Sequence, residues 1–160
     1  MKSYFILDCP KQQKIADSLY GYYVGVTAHN KPKEFWTHLT RKQIKDYFAI
    51  PNLELHKWFD ELGLKVRDMS FTICNDEIKT SMHKDEPPVV AKINFPVLNT
   101  KGTYNVWFDD NGKEIDRVEC TKPIVLRSDI LHTVEMGKKT NYPRLQFSFC
   151  FYKEPLHLLK

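Results

Sequence analysis

From residue 64 onward the chain is a succession of short runs rich in Val, Ile, Phe and Thr, each cut off by turn residues, and few architectures accept that pattern. Eight such runs fall near residues 65–74, 79–85, 89–98, 103–108, 113–120, 123–127, 130–136 and 144–152. β-Branched and aromatic side chains fit a pleated, half-buried surface, so each run reads as a strand. Eight antiparallel strands in this length predict a jelly roll closed from two sheets. Asp109-Asp110-Asn111-Gly112 supplies the hairpin turn between the fourth and fifth, with positive φ expected at both Asn111 and Gly112.

The last run, RLQFSFCFY, shows what the sheets must cover. Side chains alternate faces along a strand, so Leu145, Phe147, Phe149 and Phe151 point one way, and Arg144, Gln146, Ser148 and Cys150 the other. The apolar stripe needs a greasy partner. The polar row then faces the inside of the roll, where an unpaired guanidinium is costly, so Arg144 calls for an anion.

The preceding residues supply the greasy partner. Thr40, with Gln43 three positions on, is a capping box opening a helix that runs through Phe48 and ends at Pro51. Asn52 is placed to cap a second helix, with Leu53, Leu55, Trp58, Phe59 and Leu62 as its apolar positions and Gly63 as its stop. Residues 4–7 read as a short strand, and LYGYYVGV at 19–26 fits strand or loop. Laid on one sheet, the helices cover its outer face. The expected fold is therefore mainly β with N-terminal helices: a single domain, 1–160, in which 1–63 is a helical supporting region and 64–160 the rolled core.

At 160 residues and 42% hydrophobic content the chain is long enough to bury such a core. No apolar run approaches the roughly 18 residues of a membrane span. The start, MKSYFILDCPKQQ, is interrupted too soon for a secretory signal, which gives the expectation of a cytoplasmic protein without a membrane partner. Cys9, Cys74, Cys120 and Cys150 lie far apart with no C-x-x-C pair, so they read as reduced thiols. The net charge of +4 is spread along the chain, and Arg41-Lys42-Gln43-Ile44-Lys45 fits the solvated side of a helix rather than a nucleic-acid face.

Within Ser81-Met82-His83-Lys84-Asp85-Glu86-Pro87-Pro88, an imidazole and a carboxylate stand two residues apart. In a strand such residues share a face and can grip one ion. His132, in Ile130-Leu131-His132-Thr133-Val134, is the best third ligand, and Arg144 follows twelve residues later. Two histidines and a carboxylate form the facial set typical of non-haem Fe(II), although zinc also accepts it. The competing reading is a solvated His83 and a His132 hydrogen-bonded within the sheet. His29, His38, His56 and His157 stand in helical or terminal contexts and read as surface or satisfied histidines.

The order His83-x-Asp85, His132, Arg144 resembles the 2-oxoglutarate- and Fe(II)-dependent oxygenase superfamily, most closely its small single-domain members of phages and marine microbes. HKDEPPVVAKINFPVLNTKGTYNVWF and PIVLRSDILHTVEMGKKTNYPRLQFSF carry the likeness, which covers about the second half of the chain. The resemblance implies a double-stranded β-helix, with His83, Asp85 and His132 as iron ligands and Arg144 as the salt-bridge partner of the distal carboxylate of 2-oxoglutarate. Many members place a serine two residues after that arginine; here Gln146 occupies the position and Ser148 lies one step further. Asn94 either hydrogen-bonds the co-substrate from the third strand or marks a strand end or bulge. The implied reaction converts 2-oxoglutarate and O2 to succinate and CO2 while hydroxylating an unactivated C–H bond.

The substrate-selecting loops carry no readable code. Family grounds favour a protein or peptide side chain over a small molecule. They disfavour nucleic acid, because nucleic-acid demethylases carry a second arginine where this chain has Cys150. Jumonji enzymes generally lack the late arginine, and collagen-type prolyl hydroxylases typically use lysine in its place. Candidate lid segments are residues 75–81, 99–102 and 20–23, while Tyr104 and Trp107 either line the pocket or pack in the core. The alternative to an enzyme is a jelly roll serving binding or assembly, which leaves the polar interior row unexplained.

Overall fold

The computed structural model describes residues 2–29, 31–32, 35–77 and 80–160. Along them run β1 (Tyr4–Ile6), α1 (Gln12–Thr27), β2 (Trp36–His38), α2 (Arg41–Phe48), α3 (Glu54–Glu61) and β3 (Val66–Cys74). Then follow β4 (Ala91–Leu98), β5 (Thr103–Phe108), β6 (Glu114–Glu119), β7 (Ile124–Arg127), β8 (His132–Met136), β9 (Arg144–Phe151) and a 3-10 turn at Pro155–Leu158. All strand pairs are antiparallel, in one sheet ordered β1-β7-β4-β9-β3-β2 and a second ordered β6-β5-β8. From β4 onward the chain passes back and forth between the two, as a jelly roll requires. The sheets face each other as separate layers and are not hydrogen-bonded round into a closed barrel among the described residues.

Seven of the eight expected runs are strands. The run at 79–85 is not: among its described residues it is reduced to one antiparallel bridge, His83↔His132, and Lys79 lies outside the described residues. Pro87 and Pro88 withhold the amide donors a longer ladder would need, and the Asp85 amide turns aside to Ser128 O at 2.8 Å. The N-terminal segment contributes β1 and β2 as the two edges of the larger sheet, in addition to its helices.

The outer face of that sheet carries the main core. Met69, Phe71 and Ile73 of β3, Ile93 and Phe95 of β4, Val125 of β7 and the Leu145, Phe147, Phe149, Phe151 stripe of β9 are all buried. Against them lie Ile15 and Leu19 of α1, Tyr47 of α2 and Trp58 and Phe59 of α3. The Phe59 ring meets Phe149 and Phe151 edge-on at 5.1 and 5.0 Å between centroids, and Trp58 meets Phe95 at 5.8 Å.

Local signals explain most boundaries. Thr40 Oγ1 accepts from the Gln43 amide at 3.2 Å, and Gln43 Oε1 accepts from the Thr40 amide at 2.9 Å, closing the expected capping box. Gly63, at φ 69°, ends α3 while the Leu64 amide reaches back to Phe59 O at 2.8 Å. Asn52 does not cap α3: it adopts φ 58°, a left-handed conformation asparagine tolerates, and Leu53 takes the cap position. The Asp109 turn also differs from expectation, because of its two central residues only Gly112 has positive φ. Asp109 Oδ1 accepts from the amides of Asn111 and Lys113, both at 2.9 Å, and this holds a longer turn than the two-residue hairpin.

Residues 19–26 are neither strand nor loop; they form the last turns of α1. Ile15, Leu19, Tyr22, Tyr23 and Val26 recur at helical spacing and pack inward, Tyr22 on Tyr47 at 4.6 Å and Tyr23 on Phe71 at 5.2 Å. Burial of that stripe outweighs the poor helix propensity of Gly21 and Gly25, which sit on the exposed side. Residues 20–23 consequently belong to the helical layer, not to a lid.

Between the sheets the interior divides in two. Trp107, Val118, Ile124 and Leu126 form an apolar plug, with Tyr4 stacked on Trp107 at 5.2 Å. Arg144, Gln146, Asn94, Thr103 and Asn105 form a buried polar lining beside it. Tyr104 turns to the outer face, where the Arg117 guanidinium lies 5.4 Å from its ring.

Candidate metal centre

β8 opens at His132 with the imidazole directed between the sheets, 4% exposed, and with Nδ1 2.8 Å from Ile130 O. The single bridge brings His83 alongside: the two residues exchange both backbone hydrogen bonds at 2.9 Å, and their rings lie 4.5 Å apart. His83 Nδ1 is 3.0 Å from Ser81 O. A carbonyl only accepts, so in each ring Nδ1 carries a proton, and Nε2 is the atom placed to ligate. Both Nε2 atoms point at one oxygen: Asp85 Oδ1 lies 3.7 Å from that of His83 and 3.8 Å from that of His132. The three donor atoms lie within 4.8 Å of one another, so the structure assembles the set read from the sequence.

The electrostatics suit a cation. Burial, reinforced by the Lys92 ammonium, pushes the His132 pKa down to about 4, which leaves the ring neutral at neutral pH. Burial alone would raise the Asp85 carboxyl, but Lys92 Nζ, 2.5 Å from Oδ2, and the two imidazoles outweigh it and hold the group below the usual carboxylate range. Two imidazole nitrogens and one ionised carboxylate are the donor set that suits non-haem Fe(II), and this fit is met by the residues present.

Arg144 opens β9 from the other end of the polar row and is 1% exposed. Its Nε donates to Thr103 Oγ1 at 3.1 Å and Nη2 to Gln146 Oε1 at 2.8 Å. No carboxylate forms an ion pair with it among the described residues. A guanidinium so deeply buried with only neutral hydrogen-bond partners is costly unless an anion joins it. Its neighbour is Gln146, whereas Ser148 Oγ donates to Asn94 Oδ1 at 2.7 Å one step along the row. Cys74, opposite Arg144 in the β3–β9 ladder, has its thiol pushed up by burial against the opposing pull of the guanidinium.

Two residues of the site escaped sequence reasoning. Thr103 and Lys92 are on the inner face only because alternation along β5 and β4 puts them there with Asn105 and Asn94; strand phase was their one signal. Other expectations resolve plainly. Trp107 is fully buried in the plug, with its indole N–H bonded to Arg127 O at 3.0 Å. Thr133 is structural, its hydroxyl donating to Thr80 O at 2.9 Å. Residues 99–102 turn beside Arg144, where Asn99 Nδ2 donates to Pro143 O at 2.8 Å. Of the 75–81 segment, Ile78 and Lys79 lie outside the described residues. The four cysteines are free thiols.

No protein-family model matches the chain, and no curated protein matches it in sequence. Solved structures do match in shape. A Pseudomonas putida prolyl-4-hydroxylase superposes with a TM-score of 0.57 at 12% identity, covering 93% of this chain and 91% of its own. A viral collagen prolyl hydroxylase from Paramecium bursaria Chlorella virus-1 gives 0.55 at 10% identity, over 96% and 91%. A non-haem α-ketoglutarate-dependent epimerase of nogalamycin biosynthesis gives 0.56 at 13% identity, over 92% and 76%. The chain thus shares the fold of these solved structures. No described helix is long and apolar enough to cross a membrane.

Proposed function

We propose that the chain is a 2-oxoglutarate- and Fe(II)-dependent dioxygenase that hydroxylates an unactivated C–H bond, acting in the cytoplasm on a peptidyl side chain in preference to a small molecule. The observation that carries this reading is the pairing, inside one roll, of a His-Asp-His cluster with a buried arginine that has no acidic partner among the described residues. His83 Nε2, His132 Nε2 and Asp85 Oδ1 would hold the iron. Arg144 would take the distal carboxylate of 2-oxoglutarate through planar paired bonds, with Gln146 and Thr103 fixing the guanidinium and Asn94 lining the way between. When bound, iron and 2-oxoglutarate supply the activation of O2, with release of succinate and CO2. The protein's own part is to orient the co-substrate and to exclude water behind the Trp107 plug. No side-chain nucleophile or general base is required.

The test is anaerobic addition of Fe(II) and 2-oxoglutarate. A visible charge-transfer band should appear with the wild-type protein, vanish in His132→Ala and weaken in Arg144→Ala, and succinate should form once air is admitted. A wild-type protein giving neither band nor succinate would leave the binding or assembly role.

A further inference from the structure

Asp85 gives its two oxygens to different partners. Oδ1 faces the two histidine Nε2 atoms at 3.7 and 3.8 Å, whereas Oδ2 accepts from Lys92 Nζ at 2.5 Å. Lys92 comes from β4, across the ladder from Leu126 of β7, and its side chain is only 16% exposed. Metal binding as such does not call for this ammonium. Three donors suffice to grip an ion, and a positive charge one carboxylate away from a dication opposes its binding. What the contact does is geometric: with Oδ2 engaged, the carboxylate has one oxygen left to offer.

We propose that Lys92 is a positioning residue that keeps Asp85 a one-oxygen ligand, so that the ion retains a coordination position for the near end of 2-oxoglutarate. The inference rests on the metal-centre reading above and adds a role that the three ligands do not themselves define. Its consequences have opposite signs. Without Lys92 the carboxylate can close both oxygens on the ion and the opposing charge is gone, and each change tightens metal binding. The second oxygen then occupies a position the co-substrate needs, and 2-oxoglutarate binds more weakly.

Co(II) serves as a spectroscopic stand-in for Fe(II), titrated into wild type, Lys92→Met and Lys92→Arg with no turnover involved. Lys92→Met should bind Co(II) about tenfold more tightly with a changed ligand-field spectrum, and the Co(II)-loaded variant should bind 2-oxoglutarate about tenfold more weakly. Lys92→Arg should keep the wild-type spectrum. Lys92→Gln replaces the Met variant if circular dichroism shows that the latter does not fold. A lysine serving only the fold would weaken both affinities together, and that result, or unchanged affinities and spectrum, overturns the proposal. Failure of the wild-type protein to take up Co(II) at all would instead overturn the metal-centre reading, and this inference with it.

Discussion

His83 and His132 share two backbone hydrogen bonds of 2.9 Å, yet His132 is 4% exposed and the His83 side chain is half exposed. Their two alanine variants should therefore agree in metal uptake and disagree in stability. Both should lose Fe(II) or Co(II) binding. In denaturant titrations of the metal-free protein, His132→Ala should cost about 1–3 kcal/mol through lost packing and the orphaned Ile130 carbonyl, while His83→Ala stays within about 0.5 kcal/mol.

Arg144 should be a residue the empty protein is better off without. Arg144→Met keeps the volume and removes a buried charge that has no acidic partner among the described residues, so metal-free stability should be unchanged or raised by about 1 kcal/mol. Thermal shift with 2-oxoglutarate separates the two effects: the diacid should raise the melting temperature of the metal-loaded wild type and leave the variant unmoved. Gln146→Ala should weaken the shift more than Ser148→Ala, because Gln146 is the side chain that touches the guanidinium.

Acid should destabilise the metal-free protein earlier than its carboxylates would predict. As pH falls below 6.5 the unfolded chain takes up a proton at His132 that the folded site refuses until about pH 4. Stability is thus lost across that window, by about 3 kcal/mol at the lower end. Asp85, held below its ordinary value, adds its loss only at still lower pH. Urea titrations from pH 7 to 4 should show the slope in wild type and a flatter profile in His132→Gln.

Phe59 should be among the costliest core positions. Its ring touches Trp58, Phe149 and Phe151 and is 1% exposed, so Phe59→Ala should lower unfolding stability by about 3–5 kcal/mol. An exposed control such as Tyr152→Ala should change it little.

How much of this the sequence disclosed follows from how local each cause is. The β9 alternation separated the Phe stripe from Arg144 and Gln146, and a period of two needs no tertiary information to read. Thr40 and Gln43 announced α2 because a capping box is complete within four residues. α1 escaped because glycines and valine spoil its local propensity and only packing against Tyr47 and Phe71 makes it helical. Residues 79–85 read as a strand because composition cannot reveal how few ladder bonds a segment finds. The three candidate ligands were legible as residue types at suggestive spacing. The Lys92 contact was not, since a lysine seven residues after an aspartate reads as surface charge until the Asp85 segment is laid beside β4.

Among the described residues the smaller sheet has three strands, and the segment beside β8 is pinned at Thr80, His83 and Asp85 instead of along a ladder. That same segment delivers two of the three side chains that would grip an ion. On the proposed function, loading the ion would also tie this segment to β8, so the metal-free chain should be the more readily cut there in limited proteolysis.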